Sequence, residues 1–327
     1  MTELTTTFAG IPLRNPIIIS SSGLTNSPGK NKRLSDAGAG AIVLKSLFEE
    51  QILLEADQLN DPSFNAEGSD YLVEYIREHK LAQYIDLIKE SKALCAIPII
   101  ASINCYRDSE WIDFAKQIED AGADAIEINI LALQTDLHYT YGSFEQRHID
   151  ILRHIKKTVN IPIIMKLGNN LTNPIALIDQ LYANGAAGVV LFNRFYQPDI
   201  DIEKIEHISG EVFSRSSDLY NSLRWVGIAS SVVNKMDYAI SGGVSSPESV
   251  VKSILAGASA VEICSVVYQN TNLFIGEATK FLQVWMERKG FENIFQFKGR
   301  LNTKDVKGIN TFERTQFLKY FSSDSKE

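Results

Sequence analysis

Two lysines and a set of hydrogen-bonding side chains recur at one kind of place in this sequence. Lys45 and Lys166 sit at the ends of aliphatic runs, and so do Ser21-Ser22-Gly23, Ser102 with Asn104, Asn129, Asn193 and Cys264-Ser265. An ammonium beside an apolar run is costly to bury alone, so each lysine predicts a bound anion or a core ion pair with Glu127 or Glu262. Ser241-Gly242-Gly243-Val244 closes another run, and Ser245-Ser246-Pro247-Glu248 after it reads as a helix N-terminus. Glycine amides beside a helix N-terminus suit a phosphate group. Together these types predict a pocket for a phosphate-bearing cofactor. The cysteines Cys95, Cys105 and Cys264 form no C-x-x-C pair, so they predict reduced thiols and no metal site.

The elements that must carry these residues show in a repeat. Ala37-Gly38-Ala39-Gly40-Ala41-Ile42-Val43-Leu44, Ala121-Gly122-Ala123-Asp124-Ala125-Ile126, Asn184-Gly185-Ala186-Ala187-Gly188-Val189 and Ala256-Gly257-Ala258-Ser259-Ala260-Val261 each read as a helix stop followed by a strand. Asn15-Pro16-Ile17, Ile97-Pro98-Ile99 and Ile161-Pro162-Ile163 place a proline where a strand begins, where its missing N–H costs no ladder bond. With Tyr238-Ala239-Ile240-Ser241 they give strands beginning near residues 16, 41, 98, 125, 162, 188, 238 and 260. Helical periods such as Ile149-x-Ile151-Leu152-x-x-Ile155 lie between most of them. Eight βα units predict a single parallel (β/α)8 barrel, a TIM barrel, of α/β class. A doubly wound sheet is the alternative, but no strand leads into G-x-G-x-x-G. The barrel is expected over residues 1–310, with insertions after strands 2 and 6 in residues 48–97 and 195–237, and residues 311–327 form a tail that frays. In such a barrel the strand ends form the reaction site.

Composition narrows the partners. The chain has 327 residues, 45% hydrophobic and 22% charged, with a formal net charge of −8. That charge repels nucleic acid and anionic membrane surfaces, leaving a small-molecule substrate. No apolar run approaches the roughly 20 residues that span a bilayer, and the start has no basic leader, so a cytoplasmic protein is expected.

The ordered motifs resemble the dihydroorotate dehydrogenase family, in particular class 1. The resemblance runs from about Phe8 to Asn302 and rests on Asn15-Pro16 leading to Ser21-Ser22-Gly23, on Leu44-Lys45-Ser46, Glu127-Ile128-Asn129, Met165-Lys166-Leu167 and Phe192-Asn193, and on Ser241-Gly242-Gly243-Val244 and Phe297-Lys298-Gly299. It implies FMN as cofactor, an oxidoreductase acting on CH–CH groups in pyrimidine metabolism, and a homodimer. The implied FMN wall is Ser21, Ser22, Gly23, Lys45, Ser46, Ser102, Asn129 and Lys166, with Gly242, Gly243, Cys264 and Ser265 around the phosphate. Lys166 would stand by the pyrimidine edge of the flavin and stabilise its reduced form. Asn129, Gln134 and Asn193 would bind substrate.

The pattern breaks after the fourth strand. The family continues Asn-x-Ser-Cys-Pro-Asn there, with the cysteine as base; this chain reads Asn129-Ile130-Leu131-Ala132-Leu133-Gln134. Alanine accepts no proton. His138 in the same loop is the candidate replacement, since imidazole titrates near neutral pH, although a loop histidine is commonly only solvated. Cys105 is a second reachable group or a small apolar filler. Lys45 and Lys166 complete the catalytic set. Two other readings stay open: a flavin-binding barrel without this activity, and a lyase in which Lys166 forms a Schiff base.

Overall fold

The computed structural model describes residues 2–48, 66–104 and 112–303. Within them eight parallel strands form the barrel: β1 Ile17–Ile19, β2 Ala41–Val43, β3 Ile99–Asn104, β4 Ala125–Asn129, β5 Ile163–Gly168, β6 Gly188–Asn193, β7 Asp237–Ser241 and β8 Ala260–Ile263. They pair in the order β2-β1-β8-β7-β6-β5-β4-β3, and β2 pairs with β3 to close the ring. Each begins within one residue of its expected start. The prolines behave as their chemistry requires. Pro16, Pro98 and Pro162 stand just before β1, β3 and β5, and each contributes only its carbonyl, which accepts from Val261, Ile42 and Ile126 of the neighbouring strand.

The repeat phrase is a helix stop in all four places. Gly38, Gly122, Gly185 and Gly257 have φ of +107°, +92°, +91° and +122°, a backbone that side-chain-bearing residues rarely adopt. The helices they end are α1 Pro28–Asp36, α3 Ile112–Asp120, α5 Pro174–Ala183 and α7 Pro247–Ala256. The others are α2 Ala66–Leu94, α4 Ser143–Lys156, α6 Asp218–Val232, α8 Ser265–Asn270 and α9 Leu273–Lys289. No helix among the described residues is long and apolar enough to cross a membrane.

Much of the expected insertion after β2 is helix: α2 supplies the crossover to β3. The insertion after β6 carries a hairpin, Pro198–Asp201 with Glu206–Ser209. A second hairpin, Thr6–Phe8 with Ile11–Leu13, has no counterpart in the expected elements; its Phe8, Ile11 and Leu13 are buried against the bottom of the barrel. The buried face of α9 is Phe274, Ile275, Ala278, Leu282 and Met286. Val284 is exposed, while Phe281 and Trp285 are partly buried. His148 of α4 is fully buried, its Nδ1 2.7 Å from the Phe144 carbonyl. Cys105 and the tail 304–327 lie outside the described residues.

Candidate active site

Successive side chains of a strand point to opposite faces, so inward positions recur every second residue. Ile18, Ile100, Ala125, Ile164, Ala239 and Ala260 belong to the apolar cluster at the barrel bottom. Two residues further along the same strands stand Ser20, Ser102, Glu127, Lys166, Ser241 and Glu262. The interior therefore changes from apolar to polar in one layer, and a cavity of about 600 Å³ opens on that layer. That volume suits a cofactor-sized ligand.

Most of the expected site residues meet in this cavity. Ser21, Ser22, Gly23, Lys45 and Ser46 form one side of its wall. Ser21 Oγ lies 2.9 Å from Ser46 Oγ and accepts from the Ser46 amide at 2.8 Å. Ser22 Oγ accepts from the Leu24 amide at 3.2 Å and so caps the 3₁₀ turn Gly23–Thr25. Gly23 packs under Tyr268, whose hydroxyl would stand 2.8 Å from any Cβ there. Asn129 and Asn193 form the opposite wall, joined by a 2.9 Å hydrogen bond from Asn193 Nδ2 to Asn129 Oδ1. Gly242, Gly243, Cys264 and Ser265 line the β7–β8 side. Ser265 Oγ accepts from the Ser214 amide at 3.0 Å, which ties the segment after the hairpin to α8.

Three expected residues stand elsewhere. Ser102 is fully buried behind the wall and reaches the site only through Ser46, their hydroxyls 2.7 Å apart. Its backbone is held by Tyr84, whose hydroxyl donates to the Ser102 carbonyl at 2.9 Å. His138 is exposed and outside the wall, its amide donating to Asp136 Oδ1 at 2.8 Å. Gln134 is also outside the wall. The loop after β4 turns away once Leu131 has contributed to the cavity, so neither side chain is positioned for chemistry in it. Ala132 packs partly buried against the core, and its carbonyl accepts from Asn170 Nδ2 at 2.9 Å.

The charges of the cavity divide into a buried group and a pair near its mouth. Lys166, 5% exposed, donates to Glu262 Oε2 at 2.6 Å and to Ser20 Oγ at 2.9 Å, and stands 3.5 Å from Glu127 Oε1. Ser20 Oγ donates in turn to Glu262 Oε2 at 2.9 Å. Lys166 is therefore held in a core ion pair with Glu262, with Glu127 beside it, rather than standing as a free cation. Burial works to lower its pKa, but the two carboxylates outweigh burial and raise it. Glu127 is pushed well above the ordinary carboxylate range by burial and by the charge of Glu262. Glu262, despite its burial, is held below that range by Lys166. Neither glutamate was expected to line the cavity; the signal for both was their strand parity with Lys166. Nearer the mouth, Lys45 has its Nζ 4.6 Å from the centre of the Phe48 ring, and burial lowers its pKa. Arg194 also lines the cavity, with Nη2 donating to the Glu211 carbonyl at 2.9 Å and to the Val212 carbonyl.

The donors present fit a flavin phosphate and ring. Gly242 and Gly243 have φ of +88° and +73°, and among the described residues their amides donate to no protein acceptor. Successive amides in such a turn form a concave anion site. Hydroxyl and amide groups of Ser22, Asn129 and Asn193 face the remaining space. The two glycines differ in what fixes them. A Cβ on Gly243 would lie 2.2 Å from the Leu219 amide nitrogen at the start of α6, whereas one on Gly242 would meet nothing nearer than 3.9 Å. Gly243→Ala is expected to cost on the order of 3 kcal/mol from clash and backbone strain, and Gly242→Ala only about 1 kcal/mol. Urea denaturation of the two variants checks this ordering, and equal losses would contradict it.

Comparison with known proteins agrees with this geometry. The family model described as dihydroorotate dehydrogenase matches residues 3–280. The catalytic subunit of dihydroorotate dehydrogenase B (NAD(+)) from Thermoplasma volcanium is 29% identical over 321 residues, covering 91% of this chain and 98% of that protein. The corresponding subunit from Methanocaldococcus jannaschii is 27% identical, covering 81% and 87%. Dihydroorotate dehydrogenase A (fumarate) from Lactobacillus delbrueckii subsp. bulgaricus is 25% identical, covering 89% and 96%.

Proposed function

Because the chain belongs to the dihydroorotate dehydrogenase family, we propose that it is an FMN-dependent oxidoreductase that takes hydrogen from a CH–CH bond of a small anionic ring, dihydroorotate or a close relative. The observation that carries this reading is the conjunction, in one cavity at the strand ends, of the positive-φ pair Gly242–Gly243 with Lys45, Asn129, Lys166 and Asn193. Gly242, Gly243 and the turn at Cys264–Ser265 would hold the phosphate, and Ser22, Lys45 and Asn129 the ring. Bound there, FMN supplies the acceptor for a hydride. The protein's own part is to bind, orient and exclude water. The hydrogen-bonded Asn129–Asn193 pair would fix a substrate's polar edge, and Lys45 would attract its negative charge. Leu131 and Phe192 exclude water from the reacting face. A homodimer and the pyrimidine pathway remain part of the proposal through the family alone.

The Schiff-base reading loses its support. A lysine held protonated by the buried Glu262 carboxylate is not the free amine that carbonyl addition requires. A flavin-binding barrel diverted from dihydroorotate keeps one specific observation in its favour, the absence of an ionisable side chain at Ala132.

Protein purified from cells is expected to be yellow and to keep its flavin absorbance through desalting. A colourless protein that takes up no added FMN would sink the proposal.

A further inference from the structure

Lys166, Glu127, Glu262 and Ser20 form a closed polar group on the floor of the cavity, and the functional reading above does not use the two glutamates. One ammonium faces two carboxylates that are 1% and 2% exposed. Two ionised carboxylates would leave a buried net negative charge, which is strongly unfavourable out of water, so the group keeps one proton. Its place is Glu127. Glu262 has the shorter contact with the ammonium and also accepts from Ser20, whereas Glu127 Oε2 has no donor among the described residues. The two carboxyl groups also lie against each other, a contact that becomes a hydrogen bond only when one is protonated. With Glu127 neutral, Glu262 cancels Lys166.

We propose that the buried carboxylate paired with Lys166, Glu262 in the parent, sets the proton count of the redox reaction in this pocket: because it neutralises Lys166, two electrons entering a ring bound above it draw in two protons rather than one. The inference rests on the flavin reading. A floor with a free ammonium would balance a negative charge on the reduced ring, and the second proton would stay in solvent. A neutral floor provides no such balance, so charge must be compensated by a proton, on the ring or on the glutamates. The account closes for a CH–CH donor, which loses two electrons and two protons as its C=C bond forms, the same numbers that the pocket takes up.

The other groups facing the cluster do not alter this. Burial raises the pKa of the Cys264 thiol after β8 and of the Tyr84 hydroxyl on α2, so both stay neutral at neutral pH. Lys45 and Arg194 stand nearer the cavity mouth, partly exposed, where solvent screens them. Glu262 is thus a positioning and tuning residue that acts through Lys166.

The test is a midpoint potential measured against pH on the FMN-loaded protein, with a reducing dye of known potential as electron source. The parent is expected to show a slope of two protons per two electrons through the neutral range. Glu127→Gln combined with Glu262→Gln, which removes both carboxyl groups that could pair with Lys166, should fall to one. Glu127→Gln, which copies the protonated carboxyl group, should stay at two. A one-proton slope in the parent, or a two-proton slope in the double variant, overturns the proposal, and so does a one-proton slope in Glu127→Gln. If the double variant fails to fold, the parent and Glu127→Gln slopes decide. Failure to retain FMN is seen in the absorbance before any titration; it overturns the functional reading and this inference with it, whereas a wrong slope with flavin bound overturns this inference alone.

Discussion

Lys166→Met is expected to destabilise the folded chain by about 3–5 kcal/mol, because it leaves the buried Glu262 carboxylate without its cation. The loss should depend on pH. In the parent, Glu262 is depressed, so its contribution is present above the ordinary carboxylate range and is lost as pH falls through its folded pKa. Glu127 is raised, so its contribution is full below that range and declines as pH rises through its folded pKa. Without Lys166, Glu262 joins Glu127 in binding a proton that the unfolded chain releases at neutral pH, and stability then falls as pH rises. The gap in Tm between parent and variant should therefore widen from about pH 5 to about pH 8. Lys166→Met combined with Glu262→Gln removes the stranded charge and should recover much of the loss. A pH-independent loss below about 1 kcal/mol would place Lys166 outside any buried ion pair.

The same cluster shows where the sequence was legible and where it was not. Helix stops and strand starts are written in local chemistry, a glycine that must turn left-handed and a proline that must begin a strand, so the barrel and its strand starts could be read without contacts. The site was read from the ends of strands, which placed Asn129, Asn193 and the Gly242–Gly243 turn at the cavity. Lys166 belongs one layer deeper, and its neighbours come from β1, β4 and β8, up to 146 residues away in sequence. No local pattern states which of two lysines meets the glutamates. Inward parity could have narrowed it, since Glu127, Lys166 and Glu262 each lie two residues beyond an apolar floor position. His138 and Gln134 were misplaced for another reason. A loop has no fixed period, so nearness to Asn129 in sequence does not carry a side chain into the cavity. The hairpin Thr6–Phe8 with Ile11–Leu13 escaped because three-residue strands are too short to show alternation.

Dihydroorotate is expected to bleach the bound flavin slowly in the parent protein, by a factor on the order of 10² to 10⁴ relative to a site with a positioned base. The motive is the loop after β4. Position 132, aligned with the family's cysteine by the resemblance, holds an alanine packed against the core, and the side chain that reaches the cavity is that of Leu131. Neither can accept a proton. His138→Ala should change nothing, because the imidazole lies exposed and outside the cavity wall. Ala132→Cys should raise the bleaching rate only modestly while Leu131 occupies the space above the reacting face. Ala132→Cys combined with Leu131→Ser frees that space and should raise it at least about tenfold, with a rate that increases as the thiol ionises. Stopped-flow absorbance on the four proteins, all loaded with FMN, makes the comparison. Rapid bleaching in the parent that His138→Ala abolishes would mean that the loop closes over the cavity and that His138 is the base. Rapid bleaching in the parent that survives His138→Ala would show that dihydroorotate oxidation here needs no side chain of this loop, and the assignment of slowness to Ala132 would fall. Slow bleaching in all four, with flavin reduced readily by a dye, would leave the chain as a family member whose CH–CH donor differs from dihydroorotate in the group that Asn129 and Asn193 hold.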